Sequence, residues 1–84
     1  MRVAYFYLMA NDPDRVRAVA PQHAAYWRAL SLAGYLGGPF ADRSGGLILF
    51  TADSTGQADR LVAGDPFVRE ALVDKSWTKE WVPD

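Results

Sequence analysis

Cysteine is absent from this 84-residue chain, and histidine occurs once. The first absence excludes a disulfide framework, thiolate catalysis and a cysteine-based zinc site. The second leaves only carboxylates to complete any other metal site. No carboxylate spacing here is that of a ligand set, so no metal is expected. Net charge is also scarce, since nine Lys and Arg against ten Asp and Glu leave −1. Phosphate binding draws on a cationic surface, so nucleic acid is not an expected partner. No apolar run approaches the roughly 20 residues of a membrane span. No signal-peptide pattern follows Met1, and a cytoplasmic protein without a membrane partner is expected.

The remainder is 50% hydrophobic and 13% aromatic. That composition specifies one small globular domain, residues 1–84, rather than a disordered chain. A domain of this size has a modest core, and oligomerisation is a common remedy.

Along the chain, Arg2 to Met9 reads as a strand rich in β-branched and aromatic residues, apolar on both faces. Asn11-Asp12-Pro13-Asp14 reads as a turn. Pro21 argues against one uninterrupted helix, so the first helix is expected from Pro21 to Ala33, stopped by Gly34. Its inward stripe is His23, Tyr26 or Trp27, and Leu30. Tyr35 to Phe40 reads as an irregular strand. Its Gly37-Gly38-Pro39 suggests a bulge or an edge, and room for a backbone or ligand to approach. Ala41 to Gly45 is a hairpin loop, and Gly46 to Thr51 a third strand, again apolar on both faces. Ser54 with Gln57 is a capping-box pattern opening a second helix to about Ala63. Gly64 ends that helix. Asp65-Pro66 is a cap followed by a first helical residue, with Val68 to Leu72 as a short helical extension. Val73 to Val82 reads as a fourth strand, with Trp77, Lys79 and Trp81 on one face.

The order β-α-β-β-α-β specifies an α+β, ferredoxin-like sandwich: a four-stranded antiparallel sheet with two helices on one face. Two helices leave the other sheet face bare, although the first and third strands are apolar on both sides. A large exposed apolar face calls for a partner, and a homodimer packed sheet to sheet supplies one.

For chemistry, the chain offers His23 in the first turn of the expected helix and Asp65 at the second helical elbow. An imidazole takes or gives a proton near neutral pH. A carboxylate on one ring nitrogen fixes the tautomer and makes the other more basic. Such a pair performs proton abstraction or elimination without a cofactor. The plainer alternative is that Asp65 only caps a turn and His23 only packs. No nucleophile elbow surrounds any serine, and the glycines carry no phosphate-binding pattern. Tyr7, Trp27, Phe40 and Phe67, with Gly38, are the candidates to line a pocket that favours aromatic substrates, although aromatics in so small a domain must mostly be core. Arg28 can meet a substrate carboxylate, or sit as a solvated helix-face charge, which is the ordinary case.

Several of these pieces, in this order, resemble the small YciI-like (YCII-related) proteins of the dimeric α/β-barrel group. They are the Tyr/Phe-rich first strand, Ala20-Pro21-Gln22-His23, Gly37-Gly38-Pro39, Ala52-Asp53-Ser54 and Asp65-Pro66-Phe67. The resemblance implies a ferredoxin-like homodimer with a catalytic His–Asp pair in a cleft, carried here onto His23 and Asp65. It implies a cofactor-independent lyase or isomerase acting on a small cyclic or aromatic molecule, since some relatives are dehydrochlorinases of chlorinated aromatic diols. A dimeric, non-catalytic small-molecule binder is the alternative.

Overall fold

A computed structural model describes all residues, Met1–Asp84. The strands are β1 (Arg2–Met9), β2 (Leu36–Pro39), β3 (Gly45–Thr51) and β4 (Val73–Glu80); the helices are α1 (Pro13–Ala29), α2 (Thr55–Ala63) and α3 (Pro66–Arg69). The strands form one antiparallel sheet in the order β2-β3-β1-β4. This is the ferredoxin-like arrangement, with β1 and β3 central and the Gly-Gly-Pro strand β2 at an edge. Proline is tolerated there because an edge strand leaves N–H groups unpaired. The irregularity expected in β2 lies elsewhere, between Leu8 and Met9, where the β1–β4 register shifts.

The core lies between the sheet and the helices. Val3, Tyr5, Tyr7, Ile48 and Phe50 point from the sheet onto Trp27, Ala58, Phe67 and Leu72. The opposite sheet face, expected to be bare, carries Phe6, Leu36, Trp77 and Trp81, all exposed. Phe6 packs there against both Phe40 and Trp77.

The first helix corrects the sequence reading. It begins at Pro13, passes through Pro21 and ends at Ala29, with Leu30 as C-cap. Asp12 is the N-cap, its carboxylate accepting from the Arg15 N–H, and Pro13 holds the first turn. Pro21 is exposed, so the carbonyl it leaves without a helical donor is on the water side. The apolar stripe Val16, Ala20, Trp27 and Leu30 crosses the proline unbroken and packs on the core. Burial of that stripe outweighs the local penalty of one proline. Gly34 therefore does not end the helix. It takes a left-handed φ of 64° in the following turn, where a side chain would run into the Arg2 guanidinium.

The second helix starts as its sequence specifies. Ser54 Oγ accepts from the Gln57 N–H at 3.0 Å, and the Gln57 side chain reaches back to the Asp53 N–H at 2.6 Å. The third helix is shorter than expected. Ala71, at φ 57°, breaks it and turns Leu72 into the core.

Candidate active site

Asp65 is the polar residue buried in the core, 1% exposed. It is the N-cap of α3, and its Oδ1 accepts from the Phe67 N–H at 2.8 Å. That local bond fixes the carboxylate's direction. Two donors from α1, one helical turn apart, complete its surroundings. The Trp27 indole N–H donates to Oδ2 at 2.9 Å, and His23 Nδ1 lies 2.8 and 2.9 Å from Oδ1 and Oδ2. Three donors converge on one buried carboxylate, which satisfies a group that would be costly to bury unpaired.

With Asp65 accepting, Nδ1 carries the hydrogen and Nε2 is the basic nitrogen. Nε2 lies 3.3 Å from the Tyr7 hydroxyl, which donates to it. The ring is held flat by Phe67, stacked at a centroid separation of 4.3 Å and 24° between planes. Tyr7 meets the imidazole edge-on at 5.6 Å. A hydrogen-bonded line thus runs Tyr7–His23–Asp65–Trp27, from β1 through α1 to the α3 cap and back.

Burial and the Asp65 carboxylate both act on the neighbouring tyrosines. Burial, and after it the Asp65 carboxylate, push the Tyr7 hydroxyl up to about 12. The same two causes also raise Tyr5 and Tyr26. Tyr7 is therefore a neutral donor at any working pH. The Tyr5 hydroxyl is buried and has no hydrogen-bond partner.

The line opens on a cleft of about 910 Å³ between α1, β2 and the β2–β3 turn, lined by Tyr7, His23, Gly38 and Phe67. Two expected lining residues stand elsewhere. Trp27 is fully buried behind the cleft, where its indole serves as a donor to Asp65. Phe40 packs against Phe6 on the far side of the sheet. Sequence reasoning missed Gly46, which stands opposite Tyr7 in the β1–β3 register. A side chain at Gly46 would run into the Tyr7 hydroxyl. The missed signal is the Gly45-Gly46 pair at the head of an otherwise bulky strand. No cluster of three His, Cys, Asp or Glu side chains that could hold a metal ion is present, and no helix is long and apolar enough to cross a membrane.

The antiparallel β2-β3-β1-β4 sheet with its helices on one face makes this a ferredoxin-like α+β domain. Within that class, this chain belongs to the YCII-related domain family, which it matches over residues 1–82. Among solved structures it resembles 5-chloro-2-hydroxyhydroquinone dehydrochlorinase from Burkholderia phenoliruptrix AC1100, determined in complex with 2,5-dihydroxybenzoquinone. The TM-score is 0.83 at 22% identity, covering 98% of this chain and 94% of that one. It also resembles an antibiotic biosynthesis monooxygenase, at TM-score 0.62 and 14% identity, covering 98% of each chain. PA3566 from Pseudomonas aeruginosa follows at TM-score 0.59 and 16% identity, covering 93% of this chain and 87% of that one. At these identities the likeness is one of fold. A search of the curated proteins gave no match.

Proposed function

We propose that this protein is a cofactor-independent acid–base enzyme, of the lyase or isomerase kind, acting on a small cyclic or aromatic molecule. The observation that carries this reading is the Tyr7–His23–Asp65 line ending at an open cleft. His23 Nε2 is the general base. It takes a proton from a ring carbon or hydroxyl, and Asp65 stabilises the imidazolium that results. Tyr7 then donates its hydrogen bond to the oxygen on which negative charge develops. In an isomerisation, His23 returns the proton to a second carbon. In an elimination, the electron pair freed by the lost proton expels the leaving group. Phe67 and Gly38 form the remaining wall against the ring. The dehydrochlorinase likeness supports the elimination branch.

The reading includes a cytoplasmic homodimer, two copies covering each other's exposed Phe6, Leu36, Trp77 and Trp81. Light scattering gives the dimer mass if this is right and the monomer mass at micromolar concentration if it is wrong.

The catalytic test compares the parent with His23→Gln and Asp65→Asn against a panel of hydroxylated and halogenated ring compounds. Both variants are expected to lose about 100-fold or more in kcat, the scale of general base catalysis, with ligand affinity kept. A panel that binds the parent and is never turned over would make the protein a binder and sink the enzyme reading.

A further inference from the structure

The cleft reverses the sign of the chain around it. The protein carries a net charge of −1, yet Arg17, Arg28 and Arg43 line the cleft and no Asp or Glu does. Arg17 is neutralised in part by Asp14 at 3.2 Å. Arg28 and Arg43 are in no ion pair; the pairs formed are Arg15–Glu70, Arg17–Asp14 and His23–Asp65. A concave wall of one charge sign concentrates ligands of the other.

The two free guanidiniums stand on different elements. Arg28 is in the last turn of α1, on the cleft-lining side with Ala20 and Ala24, whose small side chains leave space over the helix. Arg43 is in the β2–β3 turn with a left-handed φ of 64°, a conformation in which glycine or asparagine is usual and arginine is strained. The turn is held there on purpose-built bonds. The Arg43 N–H donates to the Phe40 carbonyl at 2.9 Å. Asp42 accepts from the Ser44 N–H at 3.0 Å and from its hydroxyl at 2.6 Å. The nearest carboxylate in sequence is thereby engaged by Ser44 and does not bridge to Arg43.

We propose that the ligand of this cleft is an anionic ring, a carboxylate-bearing cyclic or aromatic compound. Arg43 meets the carboxylate, and Arg28 adds to the same positive field while the ring lies at His23. Guanidinium suits this task because its planar fork matches a carboxylate with two parallel hydrogen bonds. The inference rests on the site proposed above and names its substrate class.

The test uses two probes with the same hydroxylated ring, 2,5-dihydroxybenzoate and hydroquinone, which differ by the carboxylate. Affinities are read by NMR titration of the His23 ring resonances at low and high salt. The carboxylated ring is expected to bind about tenfold or more tightly, the scale of a charge-assisted hydrogen bond, with the preference shrinking as salt rises. Arg43→Gly, which suits the left-handed backbone and keeps the turn, is expected to remove most of the preference. Arg28→Gln is expected to reduce it, and Arg43→Lys to retain its salt-dependent part. Hydroquinone affinity should be the same throughout. Equal affinities for the two probes, no binding of either, or a preference that survives in both Arg43→Gly and Arg28→Gln would overturn the inference. The two proposals fail separately. A carboxylate preference without His23-dependent turnover leaves this inference standing and removes the enzyme reading. His23-dependent turnover with equal affinities does the reverse.

Discussion

Val3, Tyr5 and Tyr7 alternate along β1 with Ala4, Phe6 and Leu8. The first three are at most 3% exposed, whereas Phe6 is 37% exposed. In β2, Leu36 is 69% exposed, and beyond the far edge of β1 Trp77 is 46% exposed. The same strands therefore supply a dry core on one side and a wet apolar surface on the other. The difference comes from coverage, because α1 and α2 lie on one side only, while hydropathy is similar on both. Buried side chains on the covered side hold the Asp65 carboxylate among three donors, the arrangement on which the proposed proton transfer rests. Those on the open side pack only partly, Phe6 against Phe40 and Trp77, and keep an apolar surface of the kind that a partner covers.

If that division is right, substitutions on the two faces should fail in different ways. The largest effect is expected for Phe50→Ala, on the covered side. Loss of a fully buried ring should cost about 3–5 kcal/mol in urea unfolding. A loss under about 1 kcal/mol would mean that the helices do not close this face.

Raising the pH attacks the covered side next. The Tyr7 hydroxyl is raised to about 12 by burial and by Asp65, against about 10 in the unfolded chain. The unfolded state therefore loses its proton first. The stabilisation is complete below pH 10 and is lost as pH rises through 12, on the order of 2–3 kcal/mol from this group. Chemical denaturation across that window should show the fall, and Tyr7→Phe should make it shallower, the remainder coming from Tyr5. An unchanged slope in the variant would place Tyr7 in contact with solvent.

A smaller effect of opposite sign is expected for Tyr5→Phe. The Tyr5 hydroxyl is buried without a partner, so its removal should stabilise the fold by up to about 1 kcal/mol. Destabilisation would reveal a partner such as a bound water.

The smallest destabilisation belongs to the open side. Trp77→Ser should cost about 1 kcal/mol, for a half-buried ring and its edge contact with Phe6, yet shift light scattering from dimer to monomer. A large loss of monomer stability would erase the contrast between the faces.

How far these features could be read from the sequence follows from their range. β1, β3, the Ser54 cap and the Asp65-Pro66 elbow were legible because each is specified by residues within a few positions. The passage of α1 through Pro21 was not, since the stripe that overrides the proline is buried against strands far along the chain. The helical spacing leaves Tyr26 and Trp27 as alternatives for the inward face, because the choice depends on Asp65, 38 residues after Trp27. Phe40 was misplaced because the Gly-rich strand before it carries no side-chain alternation from which to read its face. The residues alone do not favour the His23–Asp65 pair over a plain cap and a packed ring, because the contact joins α1 to an elbow 42 residues away; the family resemblance is what favours the pair.

The three donors on Asp65 have a consequence for descent. Two of them, the Phe67 N–H and the Trp27 indole, belong to the scaffold and lie outside the proton path proposed for His23 and Tyr7. In a lineage released from catalysis, His23 and Tyr7 could drift, while Asp65 and Trp27 would still be kept by folding. Among relatives, retention of the aspartate alone therefore records a shared architecture. Under the proposed function, retention of His23 and Tyr7 beside it would be the mark of a member that also turns over its ligand.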